Sequence, residues 1–96
     1  MSRALGLMEV LGLTTAMTAL DAAIKAADVT FRGCDKVIGT GKAISLTLRI
    51  EGEVAAVQAA VDAGAAAGRR VGTVFSAHVI ARPDPKMKAL WKRMKG

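Results

Sequence analysis

Gly39-Thr40-Gly41-Lys42 is the stretch of this 96-residue chain whose residue types best suit contact with a small solute. Two glycines open backbone conformations closed to other residues, so their amides can turn outward. Thr40 adds a hydroxyl that both donates and accepts, and Lys42 adds a positive charge. Such groups replace part of the water around a hydroxylated or anionic molecule, whereas an apolar one gains nothing from them. On local sequence alone the same residues also read as an ordinary hairpin turn. A phosphate-cradling loop is excluded. The glycine spacing is too short, no Ser or Thr follows Lys42, and a strand rather than a helix comes next.

The other reactive residues do not assemble a catalytic site. His78 is the sole histidine. It sits mid-strand between Ala77 and Val79 with no acid–base partner in its pattern, and reads as a packed, hydrogen-bonded side chain. Cys34 is the single cysteine, so it forms no internal disulfide, and it reads as a small buried residue. No metal site, cofactor or enzymatic activity is expected. Taken alone, Lys25 and Arg82 read as solvated charges.

The net charge is +6, but Lys86, Lys88, Lys92, Arg93 and Lys95 supply most of it with no acid among them. The body therefore carries little net charge, which argues against a nucleic-acid partner. An RNA-binding sheet would also need clustered aromatics, and Phe31 and Phe75 fall one to a strand. No apolar run reaches the roughly 18 residues of a membrane span. The start of the chain, with Arg3 and then Glu9 in a mixed segment, lacks a signal-peptide pattern. A soluble cytoplasmic protein with no membrane partner is expected.

Several elements must position the loop. Residues 4–10 form an apolar run that predicts a first strand. A helix follows, capped by Thr14 or Thr15 and reaching about Ala27. Leu13, Met17, Leu20 and Ile24 make its apolar stripe, the face a helix normally turns to the core. Val29-Thr30-Phe31-Arg32 predicts a second strand, interrupted at Gly33 and Cys34 before residues 35–38 lead into the loop. Residues 43–50 return as a third strand, with Ile44, Leu46, Leu48 and Ile50 alternating with polar residues. Glu51-Gly52-Glu53 reads as a turn. A second helix spans about 53–67, with Val54, Val57 and Val61 on its packed side and Gly68 or Gly72 ending it. Residues 74–80 predict the fourth strand, stopped by Pro83 and Pro85. Residues 86–95 form a short amphipathic helix, with Met87, Leu90, Trp91 and Met94 on one side.

This order is an α+β, ferredoxin-like β-α-β-β-α-β fold. It implies an antiparallel four-stranded sheet with both helices on one face, plus the short C-terminal helix. Residues 1–83 read as one domain and 84–96 as a basic amphipathic tail. The helices are alanine-rich around most of their girth, so a lone copy leaves small apolar surface exposed, which marks an interface.

Five blocks in this order resemble the single-domain, hexamer-forming shell proteins of bacterial microcompartments, the BMC-domain family. They are Ala4-Leu5-Gly6-Leu7-Met8-Glu9, Ala22-Ala23-Ile24-Lys25-Ala26-Ala27, Gly52-Glu53-Val54-Ala55-Ala56-Val57, Val61-Asp62-Ala63-Gly64-Ala65-Ala66-Ala67 and His78-Val79-Ile80-Ala81-Arg82-Pro83. The resemblance spans nearly the whole chain except the tail. It implies cyclic hexamers that tile edge to edge, with other shell proteins, into a facet around encapsulated enzymes in the bacterial cytoplasm. It also implies a central pore for small polar metabolites, lined here by Gly39, Thr40, Gly41 and Lys42. Lys25, Asp28 and Arg82 then fall at the edge between hexamers. Three features depart from the family pattern. The segment between Gly33 and Gly52 is a few residues longer, which leaves Thr40 or Lys42 as the constriction. Asp28 stands where an asparagine is usual, and the tail is not a family feature.

A competing expectation is an oligomeric ferredoxin-like regulator that binds a small molecule between subunits. A regulator stops at a closed oligomer, whereas a tile goes on to form sheets.

Overall fold

The computed structural model describes residues 3–38 and 44–95. In order the elements are β1 (Ala4–Leu11), α1 (Leu13–Ala26), β2 (Thr30–Ile38), β3 (Ile44–Gly52), α2 (Val54–Val71), β4 (Val74–Ile80) and α3 (Met87–Lys95). The four strands form one antiparallel sheet in the order β2-β3-β1-β4. This is the ferredoxin-like arrangement that the element order predicts.

Alternation decides the two faces of the sheet. Leu46, Leu48 and Ile50 of β3 are buried, together with Met8 and Val10 of β1. They meet Ala16, Ala19 and Ala23 of α1 and Val57, Ala60 and Val61 of α2 in one cluster. The intervening Ser45, Thr47, Arg49 and Glu51 point to the outer face.

The two helices approach closely because small residues line their contact. A methyl group on Gly64 would stand 2.8 Å from the carbonyl oxygen of Ala19 and 2.8 Å from Sδ of Met8. Only a glycine lets α2 settle onto α1 and the sheet at that point.

The start of α1 differs from the expected threonine cap. Gly12 holds the N-cap position with φ 86°, and no side chain caps the helix. Thr14 and Thr15 already lie inside it, and Thr15 is buried. Glycine is suited to the sharp turn from β1 into α1 because it carries no Cβ penalty at positive φ. We expect Gly12→Ala to destabilise the chain by about 1 kcal/mol, through backbone strain alone. Nothing lies within 4 Å of the added methyl. A lower urea midpoint at unchanged m-value would report it, and an unchanged midpoint would show that the turn relaxes.

Other boundaries move for identifiable reasons. β2 is one continuous strand, because a bulge at Arg32, between Phe31 and Gly33, shifts the register and leaves Gly33 and Cys34 paired with Arg49 and Leu48 instead of ending the pairing. Glu51 and Gly52 are not a turn. They extend β3, with Gly52 paired to Ala4. α2 runs through Gly68 to Val71, and the Gly72 N–H donates to the Gly68 carbonyl at 2.9 Å.

The larger correction concerns which face of α1 is covered. Its alanines face the core, while Leu13 is 65%, Met17 58% and Ile24 49% exposed. On α2, Val57 and Val61 are buried but Val54 is exposed. α1 and α2 cover β3, β1 and β4, and edge strand β2 extends beyond them. Phe31 and Ile38 of β2 are exposed there.

Candidate functional site

Gly39, Thr40, Gly41 and Lys42 lie outside the described residues, but the strands that carry them are placed. Ile38 pairs with Ile44 at the last register of the β2–β3 ladder, so the loop leaves the sheet at that end. The Gly12 N–H donates to the Ile44 carbonyl at 2.7 Å, and the Leu11 N–H donates to the Thr73 carbonyl at 3.0 Å. These bonds tie the end of β1, the start of β3 and the start of β4 into one rigid edge behind the loop.

Strand direction then decides where the other candidates fall. α1 runs away from this edge, and Lys25 stands in its last turn. Asp28 precedes β2, and its carbonyl oxygen lies 3.3 Å from where a Cβ on Gly52 would be. Gly52 pairs with Ala4, and the neighbouring Leu5 pairs with Ile80, two residues before Arg82. Lys25, Asp28 and Arg82 thus share the end opposite the loop. β3 has nine residues. At about 3.3 Å per residue the two ends are separated by roughly 30 Å.

Lys25, Asp28 and Arg82 are exposed. Lys25 Nζ sits 3.0 Å from Asp21 Oδ2, one helical turn back. An exposed pair of this kind contributes little to stability, so Lys25 can exchange that partner for another.

His78 is not the packed histidine expected. It is exposed on edge strand β4 and, with Gln58, Asp62 and Arg69, lines an open groove of about 370 Å³ between β4 and α2. Cys34 is half-buried against the core. Among the described residues no cluster of metal-ligating side chains gathers, and no helix is long and apolar enough to cross a membrane.

The outer face of the sheet holds a contact that pattern reading missed. The Arg49 guanidinium carbon lies 4.1 Å from the centroid of the Trp91 ring, so α3 rests on this face. One Arg49 nitrogen, Nη2, donates to the Arg32 carbonyl at 3.3 Å. Arg32 Nε is 3.7 Å from Glu51 Oε2. Burial disfavours the charged guanidinium and lowers the pKa of Arg49, against the opposing pull of Glu51. Two clues existed in the sequence: an arginine on the polar face of β3, and the sole tryptophan among lysines.

Comparison with known proteins agrees with this architecture. The profile of the BMC domain matches residues 4–83. The bacterial microcompartment shell protein PduA of Citrobacter freundii is 51% identical over 87 residues, covering 91% of this chain and 89% of its own. Shell protein EutM of Salmonella typhimurium is 49% identical over 88 residues, covering 92% and 88%. A solved microcompartment protein from Desulfitobacterium hafniense DCB superposes with a TM-score of 0.75 at 28% identity. That match covers 90% of this chain but only 44% of the solved one, so the chain spans less than half of that protein. With the sheet order, the helix positions and the family profile in agreement over residues 4–83, the chain belongs to the BMC-domain family of bacterial microcompartment shell proteins.

Proposed function

We propose that this chain is a tile of a microcompartment shell in the bacterial cytoplasm. It closes head to tail into a hexameric ring, with the 39–42 loop at the axis and Lys25, Asp28 and Arg82 at the rim. The observation that supports this reading is that β2 and β3 end at Ile38 and Ile44 on one end of the sheet, whereas Lys25, Asp28 and Arg82 lie toward the other. A wedge with its loop at the axis and its charges at the rim must meet its neighbours along its two flanks. Those flanks differ, as a ring of identical copies requires. One is the apolar surface of α1 and β2. The other is the groove between β4 and α2, rimmed by Asp62 and Arg69.

At the axis, copies of Thr40, Lys42 and the glycine amides form a polar opening that admits small hydroxylated or anionic metabolites, with Thr40 or Lys42 at the constriction. At the rim, the Lys25 stem packs flat while its ammonium reaches carbonyl oxygens of the next tile. The planar fork of Arg82 does the same across the seam. The family profile ends at Pro83, which supports reading 84–96 as an appendage to the tile.

Native mass spectrometry followed by negative-stain microscopy at low salt tests this reading. Hexamers that pack into sheets are expected. A closed oligomer that never tiles would favour the small-molecule regulator, and a monomer or dimer would remove the shell reading. Lys25→Ala is expected to leave the ring mass unchanged while extended sheets disappear from micrographs. Sheets of normal extent from that variant would take Lys25 out of the seam.

A further inference from the structure

Edge strand β2 carries one charge that nothing in its own chain answers. Lys36 pairs in the ladder with Leu46, which is buried beneath the helices. Cross-strand partners point to the same face of a sheet, so Lys36 stands on the helix side. β2 extends beyond α1 and α2, however, and Lys36 is exposed. Among the described residues no carboxylate lies within ion-pair reach of its ammonium. The other arm of positive charge on β2, Arg32, is already engaged, with Nε 3.7 Å from Glu51 Oε2.

The opposite flank holds the complementary charge. β4 contains no acid, and within α2 Asp62 is the sole one. Asp62 is exposed and lines the open groove between α2 and β4. Gln58 Nε2, one helical turn earlier, donates to Asp62 Oδ1 at 3.0 Å. That bond restrains the carboxylate and leaves Oδ2 to accept from another donor.

The two charges also stand at comparable depth from the loop. Lys36 is two registers from the Ile38–Ile44 pair, roughly 7 Å along the strand at 3.3 Å per residue. Asp62 lies nine residues before Val71, roughly 14 Å along α2 at 1.5 Å per residue. α2 ends beside the loop edge, where the Thr73 carbonyl accepts from the Leu11 N–H. The flexible four-carbon stem of a lysine makes up the difference.

We propose that Lys36 of one copy enters the β4–α2 groove of the next and pairs there with Asp62. The inference rests on the ring proposed above and fixes its direction. Each copy offers Lys36 on one flank and Asp62 on the other, so the contact is heterologous and repeats head to tail. Arg69, two turns along the same groove toward the loop, sets the register by repulsion: a lysine that slipped toward the axis would meet a like charge.

Carbodiimide coupling of the wild-type protein, a zero-length reaction between an amine and a carboxylate in contact, reads the pair directly. A cross-link between the peptides that hold Lys36 and Asp62 is expected, confined to the hexamer fraction. Charge reversal reads its worth. Lys36→Glu or Asp62→Lys sets like charges together at every subunit contact, and each should cut the hexamer share in native mass spectra at micromolar protein by at least about tenfold. The double variant, Lys36→Glu with Asp62→Lys, restores opposite charges and should recover that share to within about twofold of the wild type. Both side chains are exposed, so far-ultraviolet dichroism should match the wild type throughout. A wild type that forms no hexamer would overturn the ring and the pair together. A hexameric wild type without the cross-link, single variants that stay hexameric, or a double variant as dissociated as the single ones would overturn the pair and leave the ring standing.

Discussion

Gly64→Val is expected to leave the chain largely unfolded. The first added carbon falls 2.8 Å from the Ala19 carbonyl oxygen and 2.8 Å from Met8 Sδ. Neither neighbour yields easily. The oxygen belongs to the α1 backbone, and Met8 is fully buried beneath both helices. Overpacking a tight core costs about 1–3 kcal/mol for a few extra methylenes. Valine adds three carbons at a point that can open only if α1 and α2 separate. It also brings a β-branched side chain, whose χ1 is restricted in a helix. A domain of this size is stable by about 5–15 kcal/mol, so a loss of several is a large share of the total.

Gly64→Ala isolates the same clash at smaller scale. Replacing a mid-helix glycine by alanine gains about 1 kcal/mol of helix propensity. The clash outweighs that gain, and a lowered melting temperature is expected, by about 4–8 °C for each kcal/mol of net loss. Gly68 is the control on the same helix. Its added Cβ would meet Val74 Cγ2 at 2.9 Å, the end of a side chain and not a backbone atom. Circular dichroism melts of the three variants should rank Gly64→Val lowest and Gly68→Ala highest. Equal melts for the two alanine variants would show that the helices separate without cost, contrary to the packing seen here.

The sheet was legible because its signals are local and exclusive. The alternation of Leu46, Leu48 and Ile50 leaves one register for β3, and the strand–helix order then leaves few topologies. Boundaries were less legible where a glycine had several meanings. Gly33 could interrupt a strand or stay paired beside a bulge, and pairing with β3 kept it in the strand. Gly12 displaced the threonine cap because a positive φ at the β1–α1 turn needs glycine more than the helix needs a side-chain cap.

The candidate site was legible in a different sense. Residue types singled out Lys25 and Arg82 only as charges, and family resemblance supplied their roles. Antiparallel pairing then set them, with Asp28, at the end of the sheet opposite the loop. The Arg49–Trp91 contact was not legible, since periodicity cannot say which sheet residue a tail will meet.

The missed face of α1 leads to the strongest test of the proposed ring. Periodicity detects that Leu13, Met17, Leu20 and Ile24 share one side, but not what covers that side. Within one chain the alanines satisfy the core and Leu20 packs partly against it, while Leu13, Met17 and Ile24 stay exposed, as do Phe31 and Ile38 of β2. A patch of this kind marks an interface. On the proposed arrangement it receives the β4–α2 flank of the next copy. Met17→Glu should then be nearly silent in the isolated subunit, where that side chain is exposed, and severe in the assembly. Removing a carboxylate from water without a partner costs several kcal/mol. Each 1.4 kcal/mol weakens a contact about tenfold. Every interface of the ring carries the same lesion, so native mass spectra at micromolar protein should shift from hexamer to monomer. The far-ultraviolet dichroism spectrum should be unchanged. Met17→Leu keeps the apolar surface and should retain hexamers. A hexamer that persists in Met17→Glu would mean that the stripe faces solvent in the ring, and the subunits would then have to join through another surface.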